Sequence, residues 1–198
     1  GRRSQTDLRN CEARGYVAAA PHYNTVFKYL EDPSLAPILK ALIEESAAPL
    51  KGIETDFAID GTGFSTCNYT RWYDAKYGRE MKAHTWLKAH LMCGVKTNVV
   101  TSCEVTEGHA NDSPEFAGLL ATTKANGFDI QEVIADKGMI KSKFGAALRS
   151  KCFVAQRNEL LCKVVCHNLA VLVSSIYELG IEPTFWAGSV DAHKGAVN

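Results

Sequence analysis

Apolar and polar positions change rhythm along this chain. Up to residue 50 the spacing is helical. It predicts a short helix capped by Thr6 and ending at Gly15, then a second capped by Asn24 with Val26, Phe27 and Leu30 on one face. Ser34 opens a third, where Leu35, Ile38, Leu39, Leu42 and Ile43 recur three and four residues apart. Pro37 lies in that helix's first turn, where a missing N–H costs little, and Ala47-Ala48-Pro49 ends it. From Asp56 the period shortens. Asp56 to Ser65 reads as a strand or hairpin interrupted by Gly61-Thr62-Gly63. Residues 85–95 alternate imperfectly, with Lys88 and His90 on one face and Leu87, Leu91 and Cys93 on the other. Thr97-Asn98 is a turn, and Val99 to Val105 is a β-rich partner strand. Asn111-Asp112-Ser113-Pro114-Glu115 joins a cap, a proline at the first helical position and an early acid, so a helix follows. Phe116, Leu119 and Leu120 are its apolar stripe and Asn126-Gly127 its end. Glu132 to Ala135 is a short buried strand, and a long helix runs from about Phe153 to Leu179, closed by Gly180.

The order is helices, three strands expected to run antiparallel, helix, strand, helix. Three meandering strands, a crossover helix and a further parallel strand describe an α/β, ribonuclease-H-like mixed sheet with helices. The expected division is a helical N-terminal region over 1–50 and the α/β domain over 51–198. In that arrangement the strand ending at Asp136 lies beside the strand ending at Asp60. Both aspartates then leave the same sheet edge, close enough to share a cation.

Composition adds limits. A chain of 198 residues with 46% hydrophobic and 22% charged residues affords one packed core. The formal net charge is zero, but its distribution is uneven. Residues 137–163 carry Lys137, Lys141, Lys143, Arg149, Lys151, Arg157 and Lys163 against Glu159, whereas 31–60 and 104–136 are acidic. Such separation offers a basic surface to a polyanion and an acidic pocket to a cation; scattered solvated faces are the plain alternative. Seven cysteines, an odd number, with no apolar leader at the start point to free thiols in a reducing cytosol. No apolar run is expected to span a bilayer, because Lys163, His167 and Asn168 break the best one, Leu160 to Val173.

The candidate chemistry centres on Asp60 and Asp136. Hard divalent cations prefer oxygen ligands, and clustered carboxylates at strand ends are how metal-dependent phosphoryl transfer acquires them. Aspartates that merely cap turns are the alternative on spacing alone. Lys141, Lys143, Arg149, Lys151 and Arg157 suit backbone phosphates without reading sequence, or form a solvated helix face. Tyr69, Arg71, Trp72, Tyr73, Lys76, Tyr77, Arg79 and Lys82 interleave aromatics with bases; they can stack on an unpaired base or pack as a loop on the sheet. Cys162, Cys166 and His167 lack a second pair at zinc spacing, so buried thiols are the expectation there. No clear helix-turn-helix signal stands in the first fifty residues.

The segments Asp56-Phe57-Ala58-Ile59-Asp60-Gly61-Thr62-Gly63-Phe64-Ser65, Arg71-Trp72-Tyr73, Lys88 to Thr97, Ala110-Asn111-Asp112 and Ala135-Asp136-Lys137 together resemble an insertion-sequence transposase of the D-D-E superfamily. Met139 to Gly145 and Asn158 to Leu169 extend that resemblance over nearly the whole chain. It implies that Asp60 and Asp136 are the first two catalytic acids and metal ligands, with magnesium (or manganese) as cofactor. It implies double-stranded DNA, as element ends and target, as partner, no membrane partner, and a bacterial, cytoplasmic, nucleoid-associated setting. Homo-oligomerisation is left open.

The family's third acid is a glutamate in a tyrosine-arginine-glutamate-lysine signature, separated from the lysine by six residues. That lysine matches Lys141, and the glutamate position falls on Ile134; the tyrosine and arginine are missing as well. An internal deletion joining Lys137-Gly138 to Met139-Ile140-Lys141 accounts for this. The expectation is a transposase with impaired strand cleavage and transfer. The alternative is a non-catalytic DNA-binding remnant that dimerises with or inhibits an intact transposase; a poorly folding relic is a third reading. Glu159, Glu104 and Glu107 are the acids that could stand in for the missing one.

Overall fold

The structure, a computed structural model, describes residues 2–66, 76–77, 86–108, 113–135 and 147–185. Its elements follow the order α1 (Arg2–Ala13), α2 (Tyr23–Leu30), α3 (Leu35–Ala47), a 3-10 turn (Ala48–Leu50), β1 (Asp56–Ser65), β2 (Trp86–Gly94), β3 (Val100–Glu107), α4 (Ser113–Ala125), β4 (Glu132–Ala135) and α5 (Phe153–Leu179). The sheet order is β3-β2-β1-β4. β1 pairs antiparallel with β2 and β2 with β3, whereas β4 runs parallel to β1. The mixed sheet, the helical crossover and the parallel fourth strand are those of the ribonuclease-H-like class.

Two apolar clusters fill the two faces of the sheet. One joins Phe64, Leu87, Ala89, Leu91, Cys93 and Cys103 to α3 (Ala36, Leu39, Ile43) and α5 (Leu160, Leu161, Val164). The other gathers Phe57, Met92 and Val99 with Leu119 of α4, Phe128, and Val171 and Leu172 from the far end of α5. Each such side chain taken from water contributes about 1.5–3 kcal/mol. Helix α3 therefore packs on the strands directly. Polar side chains of α5 fix that packing. Asn168 accepts from Val100 N at 2.9 Å and donates to Val100 O at 2.7 Å, Ile43 O at 3.1 Å and Ser46 Oγ at 3.0 Å. Asn158 donates to Leu30 O and Asp32 O at the end of α2, both at 2.9 Å.

Several local expectations need correction. Thr6 lies inside α1, which begins at Arg2, although Gly15 (φ 75°) does follow its end. His22, not Asn24, caps α2: its ring nitrogen accepts from Asn24 N at 3.3 Å. Ile38 (57% exposed) and Leu42 lie outward on α3, because Ala36, Leu39 and Ile43 take the inward face. His90, by contrast, is packed and hydrogen-bonded as a histidine amid strand residues is expected to be: both faces of β2 are covered from Ala89 to Gly94, and its Nε2 lies 2.8 Å from Thr106 Oγ1. Contrary to the expectation from Lys163, His167 and Asn168, helix α5 is, by length and composition, apolar enough to cross a membrane. Its buried face is nevertheless core: Leu160, Leu161, Val164, Asn168, Val171 and Leu172 are all enclosed.

Candidate catalytic site

Asp60 sits in the middle of β1, where the alternation Phe57, Ile59 and Ala58, Asp60, Thr62, Phe64 assigns it a face. Its register partner on β2 is Leu91, whose own partner on β3 is Cys103. Cross-strand partners share a face, so this carboxylate stands on the α3–α5 side in an otherwise apolar row. It is 6% exposed. Thr62 Oγ1, two residues along on the same face, donates to Asp60 Oδ2 at 2.6 Å. A carboxylate taken out of water is costly unless it is paired, hydrogen-bonded or coordinated to a metal. The neighbouring Cys93 thiol registers its surroundings. Burial pushes it up to about 12, and the Asp60 and Glu54 carboxylates push it the same way.

The second candidate acid is approached through the pairing of β4. Asp56, Phe57, Ala58 and Ile59 pair in parallel with Glu132, Val133, Ile134 and Ala135. The next residues along the two strands are Asp60 and Asp136. Asp136 itself lies outside the described residues, as do Lys141 and Lys143. A buried oxygen donor beside a parallel strand that leads into a second aspartate suits a hard divalent ion, which takes carboxylate oxygens and retains waters. Among the described residues no group of three His, Cys, Asp or Glu side chains gathers into a metal-binding cluster.

Of the other acids proposed as substitutes, Glu104 and Glu159 are engaged elsewhere. Glu104 of β3 pairs with Lys40 of α3. Glu107 is at the exposed end of β3. Glu159 accepts hydrogen bonds from Arg149 N (3.0 Å to each oxygen) and Ser150 N (2.8 Å). Ile134 is a strand residue of β4 and 46% exposed. Arg149 is exposed on the segment that precedes α5. Cys162 is half-buried, its thiol raised chiefly by burial; Cys166 is exposed, and His167 turns to Asn98 O at 2.8 Å. Those three do not converge as a zinc site. Of the aromatic and basic run before β2, only Lys76 and Tyr77 are described, the ammonium lying 5.6 Å from the ring centre; Tyr69, Arg71, Trp72, Tyr73, Arg79 and Lys82 lie outside the described residues.

One buried acid escaped the sequence reading. Glu54, just ahead of β1, is fully buried; its carboxylate accepts from Thr97 N at 2.5 Å and Lys96 N at 3.2 Å. It ties down the β2–β3 turn, in which Asn98 has φ 64°. A Cβ on Gly94 would stand 2.3 Å from Glu54 Cδ, so glycine is required there. The signal lay in Gly94 to Asn98, whose polar turn needs an acceptor; nothing local says that Glu54 supplies it.

Residues 51–160, more than half of the chain, match the family described as "Transposase DDE domain". The chain belongs to that family. No curated protein and no solved structure matches it.

Proposed function

We propose that this chain is a DDE-type transposase domain for DNA transposition, built for metal-dependent strand cleavage and transfer on double-stranded DNA but impaired in catalysis. Asp60 and Asp136 hold the divalent ion, magnesium or manganese. The observation that carries this reading is the parallel register Ile59↔Ala135, which leads directly into both aspartates. When bound, the ion would activate an attacking oxygen and stabilise the leaving one. Lys141, Lys143 and Arg149 bind the DNA backbone, which fits their place in the basic stretch 137–163. Residues 1–50 form a helical region docked through α3 onto the transposase domain of 51–198, a division supported by the start of the family match at residue 51. The protein acts in the bacterial cytoplasm, associated with the nucleoid, on double-stranded DNA as element ends and target.

The impairment rests on Ile134 at the signature position and on the prior engagement of Glu104 and Glu159. The test is nicking of supercoiled plasmid in magnesium or manganese, followed by strand joining, with Asp60→Asn and Glu159→Gln as variants. The expected result is retained DNA binding and weak nicking that Asp60→Asn abolishes. Robust joining that depends on Asp60 but ignores Glu159 would mean that an unidentified acid completes the site, ending the impairment reading.

A second reading is a remnant that dimerises with and inhibits an intact transposase. The outward apolar residues Leu169, Val173 and Tyr177 of α5, with Ile38 and Leu42 of α3, favour it. Co-expression with an intact relative decides it: no heterodimer and no fall in transposition removes the idea.

A further inference from the structure

Three side chains on successive turns of α5, Gln156, Glu159 and Lys163, act on one short stretch of backbone. Lys163 Nζ donates to Ala147 O at 2.8 Å. Glu159 accepts from Arg149 N and Ser150 N. Gln156 Nε2 donates to Ser150 O at 3.0 Å and to Lys151 O at 3.5 Å. On its other side the stretch is fastened to β1: Leu148 N donates to Ser65 O at 2.9 Å, and Ala147 bridges Ser65 in parallel. Residues 147–151 are thus anchored to the strand that carries Asp60, five positions beyond it. The main chain is gripped while the Arg149 and Lys151 side chains remain exposed. These two line a cleft of about 630 Å³ with Phe27 and Leu30 of α2, into which Glu31 and Glu159 also face.

We propose that Glu159 is a positioning residue for DNA: it clamps residues 149–150 so that Arg149 meets a backbone phosphate at a fixed place relative to Asp60. This rests on the reading of Arg149 as a DNA contact. A carboxylate accepting main-chain N–H groups makes stronger bonds than a neutral acceptor. The orienting effect therefore comes from an acid in the middle of a basic segment, where simple charge counting says an acid should hinder DNA.

That opposition supplies the test. Affinity for a fluorescein-labelled duplex of mixed sequence is measured by anisotropy across a salt series. Arg149→Gln should weaken binding and lower the steepness of the log–log salt dependence by about one, the mark of one lost phosphate contact. Glu159→Gln should do likewise, weakening binding by about tenfold although it removes a negative charge. The double variant should be no worse than Arg149→Gln alone, because the clamp acts through that side chain. Gln156→Leu, which leaves charge untouched, should weaken binding in the same direction and keeps the question answerable if Glu159→Gln fails to fold. Binding by Glu159→Gln as tight as or tighter than the parent, while Arg149→Gln is weakened, overturns the positioning role. Parental affinity and salt dependence in Arg149→Gln would instead overturn the DNA contact on which the role rests.

Discussion

Asn168 is the polar residue on which the packing of α5 most depends, and replacing it by leucine measures that dependence. Among the described residues β3 is an edge strand, so Val100 has no strand neighbour there on its outer side. Asn168 takes that neighbour's place, accepting from Val100 N and donating to Val100 O, while its amide also reaches Ile43 O and Ser46 Oγ on α3. Leucine has a similar volume and no polar atoms. It would leave the N–H and C=O of Val100 buried without these partners, at about 1–3 kcal/mol each. Ile43 O retains the Ser46 hydroxyl, which donates at 2.8 Å, and adds little to the cost. The sum is about 2–6 kcal/mol, a large part of the 5–15 kcal/mol that separates a typical domain from its unfolded state. For a chain of this size that corresponds to a fall in melting temperature of roughly 5–20 °C. Urea unfolding followed by far-ultraviolet circular dichroism should show a lower midpoint with an unchanged slope. Asn168→Asp, which keeps one acceptor but turns the donor side into a carboxylate facing carbonyls, should be at least as damaging at neutral pH. A leucine variant within about 0.5 kcal/mol of the parent would refute the reasoning, since so small a change is what surface substitutions produce.

Other outcomes follow from the same structure. Gly94→Ala forces its new Cβ onto the Glu54 side chain, displacing a carboxylate that holds Thr97 N and Lys96 N. A loss of about 3 kcal/mol is expected in the same urea experiment, and an unchanged midpoint would contradict the close approach. The Cys93 thiol, pushed up to about 12 mainly by burial, should resist alkylation in the native protein at pH 8, while exposed Cys166 reacts; mass spectrometry of the modified peptides checks this. Because Cys93, and Cys103 in the same direction, ionise later in the folded than in the unfolded chain, their contribution is complete below the unfolded thiol value near pH 8.5. Above it the unfolded state binds fewer protons, so stability falls with rising pH by up to about 1.4 kcal/mol per pH unit per thiol. Cys93→Ala should flatten that alkaline decline, whatever it does to stability at neutral pH.

Much of the scaffold could be read from local signals. The bounds of β1, β4 and α5 fell where alternation, a short apolar run and a helical period ended by Gly180 put them. Period and caps are properties of neighbouring residues, and neighbours in sequence report them. The errors arose where a choice depended on distant parts. Which side of α3 turned inward was decided by the strands and α5, so helical spacing alone does not separate the outward Ile38 and Leu42 from the buried Leu39 and Ile43. Alternation set Lys88 and His90 opposite Leu87, Leu91 and Cys93, but it could not show that both faces of β2 are covered.

The candidate site divides the same way. The family motifs and the two candidate aspartates, each preceded by an apolar run, were present in the residues themselves, although Asp60 stands in the middle of β1 and not at its end. The parallel neighbour of β1 was expected from the element order, but only the tertiary structure fixed its register at Ile59 and Ala135, buried Asp60 beside Leu91, and engaged Glu159 with the backbone of residues 149–150. Those are contacts between segments far apart along the chain. Burial and hydrogen-bond geometry depend on what other segments bring to the same place, and no stretch of local sequence contains that information.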